Sequence, residues 1–358
     1  MSTYNNRRSY ERRRSTAGSR RTGSSGSRGR RRPPKKRVRY DRIAGVAVVF
    51  ILLIIILVAC GKSCGSKSST EDESSIVPTE AKEQSQDAGT DSAASEDSGT
   101  SLLENYSTAA QTPAAMLEGD LVLVNKQHEY SFPTSEDAVE MVYSKKTDSY
   151  QVADLETYLA PRAITALNSM MDAFYNEKGH GDCIVISGFR TKDYQDELFN
   201  SGTTDIKGGY SDYHTGLSFD LGVYPDGASS YYYTPEGDYA WINDNCAKYG
   251  FILRYPEGKE SAAGVTESKS YQFRYVGIPH AICMKDNNLC LEEYTEFVKN
   301  YTYNGDHIKV AGPDKNYEIY YVEANLAGGD TEVPVPAGKE YTISGNNADG
   351  FVVTVELS

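Results

Sequence analysis

Paired C-x-x-C cysteines are absent from this 358-residue chain, and no internal repeat is evident. The six cysteines stand singly at 60, 64, 183, 246, 283 and 290, which argues against a zinc ribbon or a thioredoxin-type redox site. Histidine is scarce, with five in the whole chain, so candidates for a histidine-built metal centre are few. Residues 1–42 lack nearly every large apolar side chain and cannot bury enough surface to fold. They also carry little negative charge. Sixteen Lys/Arg stand there against Glu11 and Asp41, a local balance of +14 in a chain whose total is −13, which leaves −27 for the remainder. Two ends so different face different surroundings. No aromatic or base-reading module accompanies the arginines, so a specific nucleic-acid partner is not expected, and anionic lipid head groups are the partner that charge alone selects.

Between the two charge blocks, residues 43–59 (IAGVAVVFILLIIILVA) carry no charge. Seventeen residues at 1.5 Å each span about 26 Å, the short end of a bilayer core. The basic run ends at this segment, so the expected topology is a single-pass signal anchor with a cytoplasmic N-terminus and extracellular folded domains. A lipoprotein cleaved before Cys60 is the alternative, because Leu57-Val58-Ala59-Cys60 has that form. Residues 60–118, rich in Ser, Thr, Ala, Asp and Glu, read as a disordered stalk. Beyond the membrane, disulfides persist. Cys283 and Cys290 are close enough in sequence to pair, with free buried thiols as the equal alternative.

Order is expected from about Asp120. LVLVN (121–125) reads as a strand, and Pro161 to Lys178 as a helix with Ile164, Leu167, Met171 and Phe174 on one face. CIVIS (183–187) reads as a buried strand and 191–200 as a helix. From Leu217 the chain alternates, with Phe219, Leu221 and Val223 to one side and Ser218, Asp220 and Gly222 to the other. In YQFRYV (271–276), Gln272 and Arg274 share a side. A helix over 241–249 stops at Gly250, and another closes the region near Tyr301. Residues 301–358 are short alternating runs between Gly, Pro and Asn turns, an all-β pattern too small to be secure alone. The fold class is therefore α+β, with one mixed domain over 119–300 followed by a small β domain over 301–358.

Three segments carry a resemblance: SGFRTKDYQDELF (187–199), GYSDYHTGLSFDLGV (209–223) and WINDNCAKYGFILRYPEGKE (241–260), the last followed by YQFRYVG and HA (271–281). In order, spacing and wording they are similar to the VanY-type D-Ala-D-Ala carboxypeptidases. The match spans roughly residues 119–300. The resemblance implies the D-Ala-D-Ala peptidase-like (hedgehog/DD-peptidase) fold, zinc chemistry, and peptidoglycan stem peptides as the partner.

In that family the second segment reads S-x-H-x-x-G-x-A-x-D, whose His and Asp bind zinc, and a later E-x-W-H supplies the general base and the third ligand. Here the ligand positions hold Tyr213, Asp220 and Gln272, and the base position holds Lys269. One ligand of three survives. Catalytic zinc wants three protein ligands and an open position, so neither metal nor a catalytic residue is expected, and the resemblance implies an inactive, binding or scaffolding relative. Arg190 and Ser211 are the expected substrate-binding residues. Lys269 is expected to take the place of the ion and pair with Asp220. The rival expectation is an active zinc carboxypeptidase, with His214 or His280 as rescue ligands and Glu267 as a displaced base; a purely structural cell-envelope partner is a third. His128, His180 and His307 read as surface or structural residues.

Overall fold

The computed structural model describes residues 105–133, 138–225, 227 and 229–357. The basic tail with its expected lipid contact, the apolar run 43–59, Cys60 and most of the expected stalk lie outside the described residues. Among the described residues no helix is long and apolar enough to cross a membrane. The single-pass localisation is corrected accordingly: the longest described helix, Pro161–Lys178, buries one face only.

The central sheet has the order β2-β3-β4-β6-β5, where β2 is Gln151–Val152, β3 Cys183–Ser187, β4 Ser218–Val223, β5 Phe251–Tyr255 and β6 Lys269–Tyr275. The short strand Tyr231–Tyr232 adds beside β4. Alternation divides β4 and β6 into two faces. Phe219, Leu221 and Phe273 pack on the Pro161–Lys178 helix, α1, through its buried stripe of Ile164, Leu167, Met170, Met171 and Phe174. Helix α1 starts where Pro161 occupies its first turn, a position that needs no amide donor. It ends at Gly179 in the left-handed conformation (φ +78°), whose amide donates to the Tyr175 carbonyl. A fully buried side chain of this kind contributes about 1.5–3 kcal/mol, so this face supplies the core. The opposite face is polar. Ser187, Asp220 and Gln272 lie in register across β3, β4 and β6, and Ser218 pairs in register with Arg274.

Residues 121–124 are fully buried but form no strand. Their carbonyls meet side chains where a strand would meet a neighbour. The Arg274 Nη2 donates to the Asp120 and Val122 carbonyls at 2.9 and 3.0 Å, and Arg254 Nη2 donates to the Val124 carbonyl at 3.3 Å. Guanidinium groups satisfy the acceptors that a ladder would otherwise serve.

The C-terminal residues form an antiparallel sheet in the order β7-β8-β11-β10, with β7 Ile308–Ala311, β8 Asn316–Glu323, β10 Tyr341–Gly345 and β11 Gly350–Leu357. One face joins Ile319, Tyr321 and Val352 to Leu121, Leu123, Val276, Ala281, Leu291 and Tyr294 in a single core. The last four of these lie at or within helices α2 (Ile278–Asp286) and α3 (Leu291–Phe297) or on the turn before them. The other face, with Tyr320, Phe351, Val353 and Val355, covers a separate two-stranded ribbon of β1 (Tyr106–Gln111) and β9 (Thr331–Pro336). The stalk as read from sequence ran to residue 118, yet β1 falls inside it. YSTAAQ has too little apolar pattern to announce a strand, and it is ordered by antiparallel pairing with β9, Tyr106 opposite Pro336 and Gln111 opposite Thr331. Cys183, Cys246, Cys283 and Cys290 are all free, buried thiols.

Candidate functional site

The segment joining Ser211 to Asp220 is built from three local devices. Ser211 is extended (φ −97°, ψ 129°) and leads into a 3-10 turn over Asp212–Thr215. Gly216 ends the turn in the left-handed region (φ +67°), where an added Cβ would stand 2.6 Å from Val139 Cγ1. Glycine is required there on both counts. The chain then enters β4, which carries Asp220 to the polar face.

Asp212 holds the turn in place. Arg274 Nη1 donates to its Oδ1 at 2.6 Å, and Ser218 Oγ donates to its Oδ2. Arg254 Nε lies 3.1 Å from the same Oδ1 but without an aligned hydrogen bond, so this contact is charge attraction alone. Arg254 extends the network through two bonds to Glu292, at 3.0 and 2.7 Å. Burial works against the Asp212 carboxylate, but Arg274 and Arg254 outweigh it and hold its pKa below the ordinary value. Sequence reasoning passed over Asp212 as a spacer. The parity of Gln272 and Arg274 on one side of β6 was the available signal.

Around Asp220 the family positions converge. The Tyr213 hydroxyl donates to Asp220 Oδ1 at 2.5 Å, and both side chains are buried. The Arg190 guanidinium lies over the Tyr213 ring, 3.8 Å from its centroid, and donates to Ser187 Oγ and Gln195 Oε1, both at 3.2 Å. Gln272 stands directly across from Asp220 and is 1% exposed. Its Nε2 has no hydrogen-bond partner among the described residues. Lys269 is half-buried and reaches Gln272 Oε1 at 3.5 Å, with Nζ 5.4 Å from the Tyr255 ring centroid. The expected Lys269–Asp220 ion pair does not form. Lys269 is in register with Tyr255 on β5, beyond a register shift, its ammonium reaches the Gln272 amide oxygen, and the Tyr213 hydroxyl has taken the Asp220 carboxylate instead. Tyr232 and Tyr271, stacked 4.0 Å apart, flank the group.

Burial raises the Asp220 pKa, against the hydrogen bond from Tyr213 and the charges of Arg190 and Lys269. Burial, then the Asp220 charge, drives the Tyr213 phenol well above its usual value. Burial lowers Lys269, opposed by Asp220 and reinforced by Arg190. These donors do not fit a zinc ion. The Tyr213 proton is committed to Asp220, Gln272 Oε1 faces a lysine, and Lys269 sets a cation where a metal would need an electron pair.

The other sequence candidates lie elsewhere or point elsewhere. His214 accepts from the Gly209 amide through Nε2 at 3.0 Å, so Nδ1 carries the proton toward the Arg190 carbonyl at 2.7 Å. Neither ring nitrogen is free for a metal, and burial lowers its pKa. His280 sits in the second core between Tyr294 Oη (2.7 Å) and Thr354 Oγ1 (2.9 Å), its pKa pulled down to about 3 by burial. Glu267 is exposed on the loop before β6. Ser211 is buried at the head of the 3-10 turn. A cleft of about 780 Å³ opens beside Ser187 and Arg190 and is lined further by Asp154, Glu156, Tyr158 and Tyr194.

The family model for VanY, D-alanyl-D-alanine carboxypeptidase, matches residues 156–278. A D-alanyl-D-alanine carboxypeptidase of Enterococcus faecium is 34% identical over 269 residues, covering 73% of this chain and 82% of that protein. YodJ of Bacillus subtilis (strain 168) is 34% identical over 194 residues, covering 51% of this chain and 69% of that protein. Among solved structures, the vancomycin-resistance D,D-dipeptidase VanXYg, in complex with a D-Ala-D-Ala phosphinate analogue, is similar with a TM-score of 0.60 and 25% identity. That likeness covers 70% of this chain and 99% of the other. With an α+β fold that sets Arg190, Asp220 and Gln272 around one polar sheet face, and with kinship of this extent, the chain belongs to the VanY family of D-alanyl-D-alanine carboxypeptidases.

Proposed function

We propose that the protein is a non-catalytic member of its family that binds peptidoglycan stem peptides and does not trim them. The observation that carries this reading is the Tyr213–Asp220 hydrogen bond, with Lys269 and Gln272 beside it. Together these side chains occupy with protons the positions where the family places metal-binding electron pairs. Hydrolysis would also need a base, and the base position is a cation. The binding part of the reading is supported by Arg190, which lines a cleft with room for a peptide, whereas Ser211 is buried and acts on the turn. What the relatives are named for supports the ligand class, D-Ala-D-Ala-terminated peptide.

The test pairs metal analysis with binding and turnover on the full chain. Purified without chelator, it is expected to hold far less than one zinc per chain, to release no D-alanine from stem peptides, and to bind them. Stoichiometric zinc with chelator-sensitive D-alanine release would overturn the reading. The triple change Tyr213→His, Lys269→Glu and Gln272→His is expected to gain zinc. Each single change is expected not to, because an incomplete ligand set binds weakly.

A further inference from the structure

Three charged side chains meet at the former metal position without a direct ion pair among them. Asp220 is bonded to a phenol. Arg190 is bonded to a hydroxyl and an amide oxygen, both at 3.2 Å. Among the described residues Lys269 has one long hydrogen bond, at 3.5 Å to an amide oxygen, and lies over the Tyr255 ring. Beside them, the buried Gln272 Nε2 has no acceptor among the described residues. Its orientation is set by Lys269, which can only donate and so claims the amide oxygen. Buried amide protons are rarely left unpaired, and each unpaired one asks what it is kept for.

The local charge gives the answer. In the family arrangement the zinc dication, the ligand aspartate, the base glutamate and the arginine leave one net positive charge. Here Asp220, Lys269 and Arg190 leave one net positive charge with no metal. Lysine in place of glutamate at position 269 supplies the two charges that zinc would have brought. The site keeps the attraction for a negative oxygen and changes the means of holding it from coordination to hydrogen bonding.

We propose that the former metal centre is a metal-free carboxylate subsite, in which the Lys269 ammonium and the Gln272 amide receive the free terminal carboxylate of a peptide. Lys269, held by one long hydrogen bond and the face of the Tyr255 ring, turns toward the ligand and uncovers the Gln272 amide as it does so. Arg190 adds the second cation at the edge of the cleft. The peptide part of this assignment rests on the stem-peptide reading above, whereas the carboxylate part stands on Lys269 and Gln272 alone.

Calorimetry on the full chain in the presence of chelator tests it. A peptide ending in D-Ala-D-Ala as the free acid is expected to bind about tenfold or more tightly than the same peptide as its C-terminal carboxamide, the worth of a hydrogen bond to a charged group. Lys269→Met is expected to erase that preference, and Lys269→Arg to keep most of it, with thermal melts confirming that both fold. Equal binding of acid and amide overturns the inference and leaves the stem-peptide reading standing. If neither peptide binds, the side-chain amide signal of Gln272 decides. It is read in the glutamine-labelled chain and assigned through Gln272→Leu. A shift on adding D-alanine or acetate, lost in Lys269→Met, supports the carboxylate subsite and removes the stem-peptide reading. No shift with any carboxylate overturns both.

Discussion

At Asp212 a single carboxylate meets two buried guanidinium groups, and removing it leaves both cations without their shared partner. Asp212→Asn is therefore expected to lower unfolding stability by about 3–5 kcal/mol, read by urea denaturation at neutral pH. The acid limb should change too. Asp212 and Glu292 both have folded pKa values below their ordinary 3.8 and 4.5. The unfolded chain thus takes up protons first, and the stability these groups contribute is complete above about pH 5 and lost as pH falls through the folded values. The fall in urea midpoint between pH 5 and pH 3 should be shallower in Asp212→Asn than in the parent chain. Tyr213→Phe is a milder change: it strips Asp220 of its phenol and is expected to cost about 1–3 kcal/mol. At this scale the sequence was a partial guide. Tyr213, Asp220, Lys269 and Gln272 were found because a motif fixes their places. Which of them would touch could not be read, because the register shift between β5 and β6 at Leu253–Tyr255 decides what Lys269 reaches.

Helices and strands with a strong apolar period were legible, and those ordered by distant partners were not. Helix α1 announces itself through a proline start, a glycine stop and a buried stripe between. Residues 121–124 look like a strand because strands and buried extended chain share one apolar signature. Only Arg254 and Arg274, far along the sequence, decide that guanidinium groups serve these carbonyls. Gly216 is the element-scale position most exposed to test. Gly216→Ala must place a side chain at φ +67° and within 2.6 Å of Val139 Cγ1. The conformation alone costs about 1–2 kcal/mol, and the contact adds to it. A thermal melt should register the sum, whereas alanine at exposed Gly179, with nothing within 4 Å, meets only the conformational part.

Across the whole molecule, the central sheet and the C-terminal sheet share one apolar core, so the C-terminal strands are structural partners of the Arg190–Asp220 site's scaffold. Ending the chain after residue 300 would uncover Leu121, Val276, Ala281, Leu291 and Tyr294 together and remove the Thr354 hydroxyl from His280. The truncated protein is expected to lose cooperative thermal unfolding and to bind a hydrophobic dye, which calorimetry and dye fluorescence would read. A retained sharp transition would refute this dependence. From sequence the β character of 301–358 was clear from alternation, but its shared core was not, because alternation gives faces and never says what covers them.

The β1–β9 ribbon sets a timetable for the chain as it is made. Tyr106–Gln111 leaves the ribosome about 220 residues ahead of its partner Thr331–Pro336. At about 5–20 residues per second, the first strand waits on the order of ten seconds or more for its mate. Leu121 and Leu123 wait as long for Val352. The ribbon and the second core therefore close only once residues 331–352 have emerged. Until then, the early residues depend on the cell's handling of unfinished chains.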